Sequence, residues 1–182
     1  MRRSLTSLGP RIAVVGVTAA GKSTLVHRLK EKLALPVYHT DGYIWRDGWK
    51  NGKTNDQIVA YVDEVLQKPE WLLEGYLGYV DTPDTRLRHA TTVIVLDYGR
   101  FRLAWQFLKR KYTHHGKSRP ELPPECQETF SLKAIRKSLN LIFVKDIRKN
   151  LYDWIAQVPA DNILIFKNPR QLRVWLRTNG LL

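Results

Sequence analysis

Eight consecutive residues have the types and spacing to hold a phosphate chain: Gly16-Val17-Thr18-Ala19-Ala20-Gly21-Lys22-Ser23, followed by Thr24. In a glycine, four free positions and then Gly-Lys-Ser, backbone N–H groups converge on phosphate oxygens and the next helix aims its positive N-terminus at them. Gly16 and Gly21 permit the tight backbone, Lys22 reaches the β and γ phosphates as a point charge, and the Ser23 hydroxyl is a ligand for Mg²⁺. Thr18, Ala19, Ala20 and Thr24 complete the expected nucleotide contacts. Such loops serve ATPases, GTPases and kinases alike, so the loop accounts for the phosphates and leaves the acceptor open. No Asn-Lys-x-Asp segment of the kind that selects guanine occurs in the chain.

Two carboxylates stand where phosphoryl transfer needs them. Asp41 follows the short strand pattern Val37-Tyr38-His39, and Glu74 follows Trp71-Leu72-Leu73. In a parallel sheet the carboxyl ends of neighbouring strands share one edge with the loop that leaves the first strand, so both acids face the γ-phosphate. Asp41 is the expected base or acceptor-orienting residue, and Glu74 is expected in the Mg²⁺ shell, directly or through water. Arg110 and Arg119 flank a segment with Gly116, Pro120, Pro123 and Pro124, and a lid there would carry them over the nucleotide. His114, His115 and Cys126 are too few and too irregularly spaced for a zinc site.

The elements that must position these residues alternate. Ile12-Ala13-Val14-Val15 is a short β-branched run ending at a glycine, which reads as a strand buried on both faces. Lys22 to Leu33 is an amphipathic helix stopped by Pro36, and Asn55 to Gln67 is a second, capped by Thr54. Thr92 to Leu96 is a further strand, Arg100 to Lys111 a basic helix, and residues 112–130 the lid. Ser131 to Trp154 reads as one long helix, Asn162 to Phe166 as a fifth strand, and Gln171 to Thr178 as a closing helix. Strands alternating with helices imply an α/β fold with a parallel sheet covered on both sides. Trp71, Trp105, Trp154 and Trp175 lie on these patterns and are expected in the core. Trp45 and Trp49 follow Asp41 with Tyr43, where they either stack on a base or cover the acceptor.

At 182 residues with 43% apolar content the chain is expected to form one domain, with residues 1–10 as a flexible leader. No apolar run approaches the ~20 residues of a membrane span. A single cysteine fits a reducing compartment, and the cytoplasm is the expected location. The net charge is +13, and Arg100 to Lys149 holds 13 basic against 4 acidic residues. Such a field attracts phosphate-bearing partners, nucleotide or nucleic acid.

Taken in order, these motifs resemble the adenylate-kinase-related P-loop proteins known as topology modulation proteins. The likeness is carried by Gly16 to Thr24, His39-Thr40-Asp41 with Trp45 and Gly48-Trp49, and Trp71-Leu72-Leu73-Glu74-Gly75-Tyr76. Arg86, Leu96-Asp97-Tyr98 with Arg100, Trp105, Lys109-Arg110, Arg119-Pro120, Glu125-Cys126 and Lys167-Asn168-Pro169-Arg170 extend it. The resemblance implies a five-stranded parallel sheet in the order 2-3-1-4-5 with a lid between strands four and five. It implies ATP with Mg²⁺, an arginine (Arg110) at the foot of the lid, and adenine contacts from Asn168 and Arg170. Gln106 departs from it by standing where a second arginine is usual, and Ala19-Ala20 replace a glycine-containing pair. The reading is an ATP-dependent kinase for a small hydroxyl- or phosphate-bearing acceptor, a nucleotide or nucleoside among them. The alternatives are a kinase of nucleic-acid 5′ ends and a nucleic-acid-binding module with slow ATPase activity.

Overall fold

A computed structural model describes residues 4–46, 49–75, 83–129, 131–143 and 147–182. Its centre is a sheet of β1 (Arg11–Gly16), β2 (Val37–His39), β5 (Trp71–Glu74), β6 (Thr92–Leu96) and β7 (Ile163–Phe166). All pairings are parallel and the order is β2-β5-β1-β6-β7, which is 2-3-1-4-5 among the strands of this sheet. Side chains alternate across a strand, so neighbouring residues of β1 enter different cores. Ile12 and Val14 pack with Leu72, Ile94, Leu25, Leu29, Phe107 and Trp175 on one face. Ala13 and Val15 pack with Trp71, Leu73, Val65, Leu87 and Ile155 on the other. Burial on both sides is why the strands read as unbroken apolar runs.

The first face is covered by α1 (Lys22–Leu33), α5 (Arg100–Thr113), α6 (Leu132–Phe143) and α8 (Pro169–Thr178), and the second by α3 (Asn55–Leu66), α4 (Pro83–His89) and α7 (Ile147–Ile155). Local chemistry sets their ends. Thr54 and Gln57 form a reciprocal capping box at the start of α3. Asn168 caps α8, with Pro169 in its first turn. Between β2 and α3 lie a short helix, α2 (Thr40–Ile44), and a two-stranded ribbon of β3 (Trp45–Arg46) and β4 (Lys50–Asn51). No sequence pattern announced that ribbon.

Three expectations are corrected. The long helix expected over Ser131–Trp154 is described as two pieces, α6 and α7, with residues 144–146 outside the described residues. Ile142 of α6 joins one core, while Leu151 and Ile155 of α7 join the other, and one straight helix cannot serve both faces of a sheet. The segment expected as a flexible leader is docked from Leu5 onward. Leu8 is fully buried, its carbonyl accepts from the Thr91 and Thr92 hydroxyls, and Asn179 Oδ1 accepts from Leu5 N at 2.7 Å. Trp105 is 63% exposed because α5 buries Leu103, Phe107 and Lys111, a stripe on the other side of the helix. Trp71 and Trp175 are buried as expected. No helix among the described residues is long and apolar enough to cross a membrane.

Candidate functional site

The loop after β1 is shaped by two glycines. Gly16 has φ +151°, and a Cβ there would lie 2.6 Å from the Leu96 carbonyl on β6, so only glycine fits without displacing the strand. Gly21, at φ +87°, takes the left-handed turn into α1. Ala19 adopts φ +61°, a left-handed conformation that costs a side-chain-bearing residue about 1–2 kcal/mol. The loop therefore keeps the shape that a glycine there would adopt freely. Lys22, Ser23 and Thr24 open α1, where free amides and the helix dipole favour an anion. Lys22 is 8% exposed and donates to the Val17 carbonyl at 3.4 Å. Burial pushes its ammonium pKa down, against the opposing pull of Glu74 and Asp41.

Strand register brings the carboxylates to this loop. Val14 of β1 is level with Glu74 of β5, which is level with His39 of β2. Glu74 is buried, and its Oε1 accepts from Ser23 Oγ at 3.1 Å and lies 2.9 Å from His39 Nδ1. Burial raises its pKa, but the His39 hydrogen bond, Lys22 and Ser23 together outweigh burial and hold it low. A carboxylate held low beside a hydroxyl is a hard-oxygen pair of the kind that suits Mg²⁺. Asp41 on α2 differs. The residue is partly exposed, yet its Oδ1 is buried and has no hydrogen-bond partner among the described residues. Burial and then Glu74 raise its pKa, and Lys22, Arg119 and Arg110 offset this only in part. Two neighbouring carboxyl groups are thus pushed in opposite directions, the arrangement that separates a proton acceptor from a fixed anion.

Across the cleft sits a cluster of cations. Arg110 and Lys111 from the end of α5, with Arg119 from the following segment, surround the buried carboxylate of Glu128. Arg119 also donates to Glu121 at 2.7 Å. Burial lowers the Arg110 pKa, Arg119 adds to this, and Glu128 and Asp41 oppose it. Trp49 Nε1 donates to the Gln127 carbonyl at 2.7 Å, and its ring lies 5.5 Å from Lys111 Nζ and 5.6 Å from the Arg119 guanidinium carbon. The β3–β4 ribbon is thereby tied to the segment between α5 and α6.

These groups line one cleft of ≈ 790 Å³ together with Val17, Thr18, Ala19, Gly21, Ser23, Thr24, Trp45 and Gln106. Of the residues expected at the nucleotide, Ala20 is buried in the core, and neither it nor Gly16 lines the cleft with a side chain. Asn168 and Arg170 also lie outside the lining. The Asn168 side chain is committed to Gln171 N as the cap of α8, and Arg170 is exposed. Reading the sequence missed Glu128, although it is one of only four acids in the basic stretch, and it missed the bond from Trp49 to Gln127.

No family model matches the chain, and no curated protein matches its sequence. Solved structures do. A shikimate kinase from Acinetobacter baumannii in complex with shikimate superposes with a TM-score of 0.60 at 17% identity, over 96% of this chain and 93% of that one. A shikimate kinase from Bacteroides thetaiotaomicron gives 0.61 at 16% identity, over 93% and 95%. The fold is that of the small P-loop kinases. A gluconokinase from Sinorhizobium meliloti 1021 shares it at 0.55 and 16% identity, over 98% and 93%. Similarity at this level covers the sheet order and helical layers and extends to no side chain.

Proposed function

We propose that this protein is an ATP-dependent kinase that phosphorylates a hydroxyl of a small acceptor, a sugar- or nucleoside-like molecule. The observation that carries the reading is the pair Asp41 and Glu74, shifted in opposite directions at the mouth of a Gly-Lys-Ser loop and facing Lys22 and two arginines. The shikimate kinase and gluconokinase neighbours of the same fold support it.

The acceptor hydroxyl oxygen forms a bond to the γ-phosphorus of ATP, the bond from that phosphorus to the bridging oxygen breaks, and ADP leaves. The hydroxyl proton passes to the free Oδ1 of Asp41. Ser23 and Glu74 would hold Mg²⁺, which supplies charge neutralisation for the phosphates. Lys22 holds the β and γ phosphates, and Arg110 and Arg119 balance charge on the transferred group. Trp45 and Trp49 offer flat apolar faces to an acceptor ring beside Asp41. A second reading, transfer to a nucleic-acid 5′ end, draws on the exposed aromatic residues Phe101, Trp105 and Tyr112 of the basic helix α5.

The test is ADP release with Mg·ATP across a panel of polyols, sugars, nucleosides, nucleoside monophosphates and a 5′-hydroxyl oligonucleotide, with Lys22→Ala as the blank. Stimulation by one small acceptor, lost in the variant, is the expected result. Stimulation by the oligonucleotide alone selects the second reading, and a rate indifferent to every acceptor sinks both.

A further inference from the structure

Glu128 is 0% exposed and is fixed from both sides by its own backbone. Its N–H donates to the Lys117 carbonyl at 3.0 Å, and its carbonyl accepts from Gly116 N at 2.8 Å. Three cations from two parts of the chain meet its side chain. Lys111 pairs with Oε2, while Oε1 lies 3.1 Å from Arg119 Nε and 3.5 Å from Arg110 Nε. Neither arginine Nε–H is aligned for a hydrogen bond onto Oε1, so both are held by charge, and those N–H groups have no hydrogen-bond partner among the described residues. Glu128 and Glu121, which pairs with Arg119 at 2.7 Å, set two negative charges against three positive ones, and the excess faces the same cleft as Lys22. Two half-buried guanidinium groups would drive each other apart without a shared anion.

We infer that Glu128 is a positioning residue that keeps Arg110 and Arg119 aimed at the phosphate to be transferred, without itself touching substrate. This rests on the proposed function only in that nucleotide phosphates occupy the cleft. Trp49 reinforces the arrangement by bonding the neighbouring Gln127 carbonyl and covering Lys111 and Arg119. A carboxylate serving folding alone would alter thermal stability and leave nucleotide discrimination untouched, which separates the two roles.

The experiment compares the wild type with Glu128→Gln and Glu128→Asp by calorimetric titration with ADP and with a non-hydrolysable ATP analogue, and by steady-state kinetics with the acceptor found in the panel. In Glu128→Gln, ADP affinity stays within about threefold while the preference for the ATP analogue over ADP falls at least about fivefold. On the same variant kcat drops about 10- to 100-fold with KM for ATP changed less than about threefold, the signature of lost aim. Glu128→Asp, which keeps the charge and withdraws it by one methylene, falls between. In an Arg119→Lys background the same substitution costs less than about threefold more, because the two residues act as a unit. An unchanged analogue-to-ADP ratio, or fully multiplicative losses with Arg119→Lys, overturns the inference. If Glu128→Gln does not fold, the same ratio in Glu128→Asp decides. A wild type that binds both nucleotides and phosphorylates no acceptor sinks the proposed function, and the ratio still judges Glu128.

Discussion

The two walls of the cleft are built by different physics. On the sheet edge, Glu74 and His39 sit where strand register places them, and the backbone ladder of β1, β5 and β2 holds them. On the opposite wall, Arg110, Lys111 and Arg119 gather around the buried carboxylate of Glu128, and Arg119 pairs with Glu121 as well. Backbone hydrogen bonds and two-sided burial make the first wall part of the core, so a lesion there disturbs folding and chemistry together. Side-chain charge pairing around Glu128, with only a few backbone bonds behind it, arranges the second, so a lesion there disturbs chemistry first.

Gly75 gives the largest expected break in the first wall. It adopts φ +150°, and a Cβ there would overlap the Thr40 hydroxyl, which donates to the Glu74 carbonyl at 3.1 Å. Gly75→Ala is expected to cost about 1–3 kcal/mol of stability. Displacing both Glu74 and α2 should also lower turnover by about 10²–10³-fold. Thermal melts and kcat on one preparation check both, and a variant that loses neither refutes the rigid-wall picture. A smaller and narrower effect is expected opposite. Arg119→Ala lowers kcat about 10²-fold while leaving the melting temperature near wild type, because it also removes the like-charge pressure on Arg110. A large drop in melting temperature there would erase the contrast between the walls.

The same contrast explains what could be read from the chain beforehand. The Gly16–Thr24 loop, the parallel sheet and the placement of Asp41 and Glu74 after strands follow from local spacing and short β-branched runs, while the order 2-3-1-4-5 was implied by the family resemblance. Glu128 follows from neither. Its partners lie up to eighteen positions away along an irregular segment, and an ion pair leaves no periodic trace in a sequence. The different faces served by α6 and α7 were hidden because both keep helical spacing and differ only in which core receives them. Trp105 misled for a related reason, since α5 carries a buried and an exposed apolar stripe and the larger residues lie on the exposed one.

Opposite pKa shifts on neighbouring acids make the central claim measurable at Asp41. Its folded carboxyl holds a proton more tightly than the unfolded one, so the stability it contributes is present at low pH and is lost as pH rises through the raised value. Glu74 behaves in the opposite sense, with stability lost as pH falls through its lowered value. The decisive measurement is the pH profile of kcat/KM for wild type and Asp41→Asn, with ADP affinity and melting temperature recorded alongside. The account predicts a wild-type acid limb above the usual carboxylate range and a variant that binds ADP normally and melts no lower at neutral pH. It also predicts that the variant turns over about 10²–10⁴-fold more slowly, with that limb gone. A variant that retains turnover, or keeps the acid limb, would contradict the assignment of Asp41 as the group that takes the acceptor's proton.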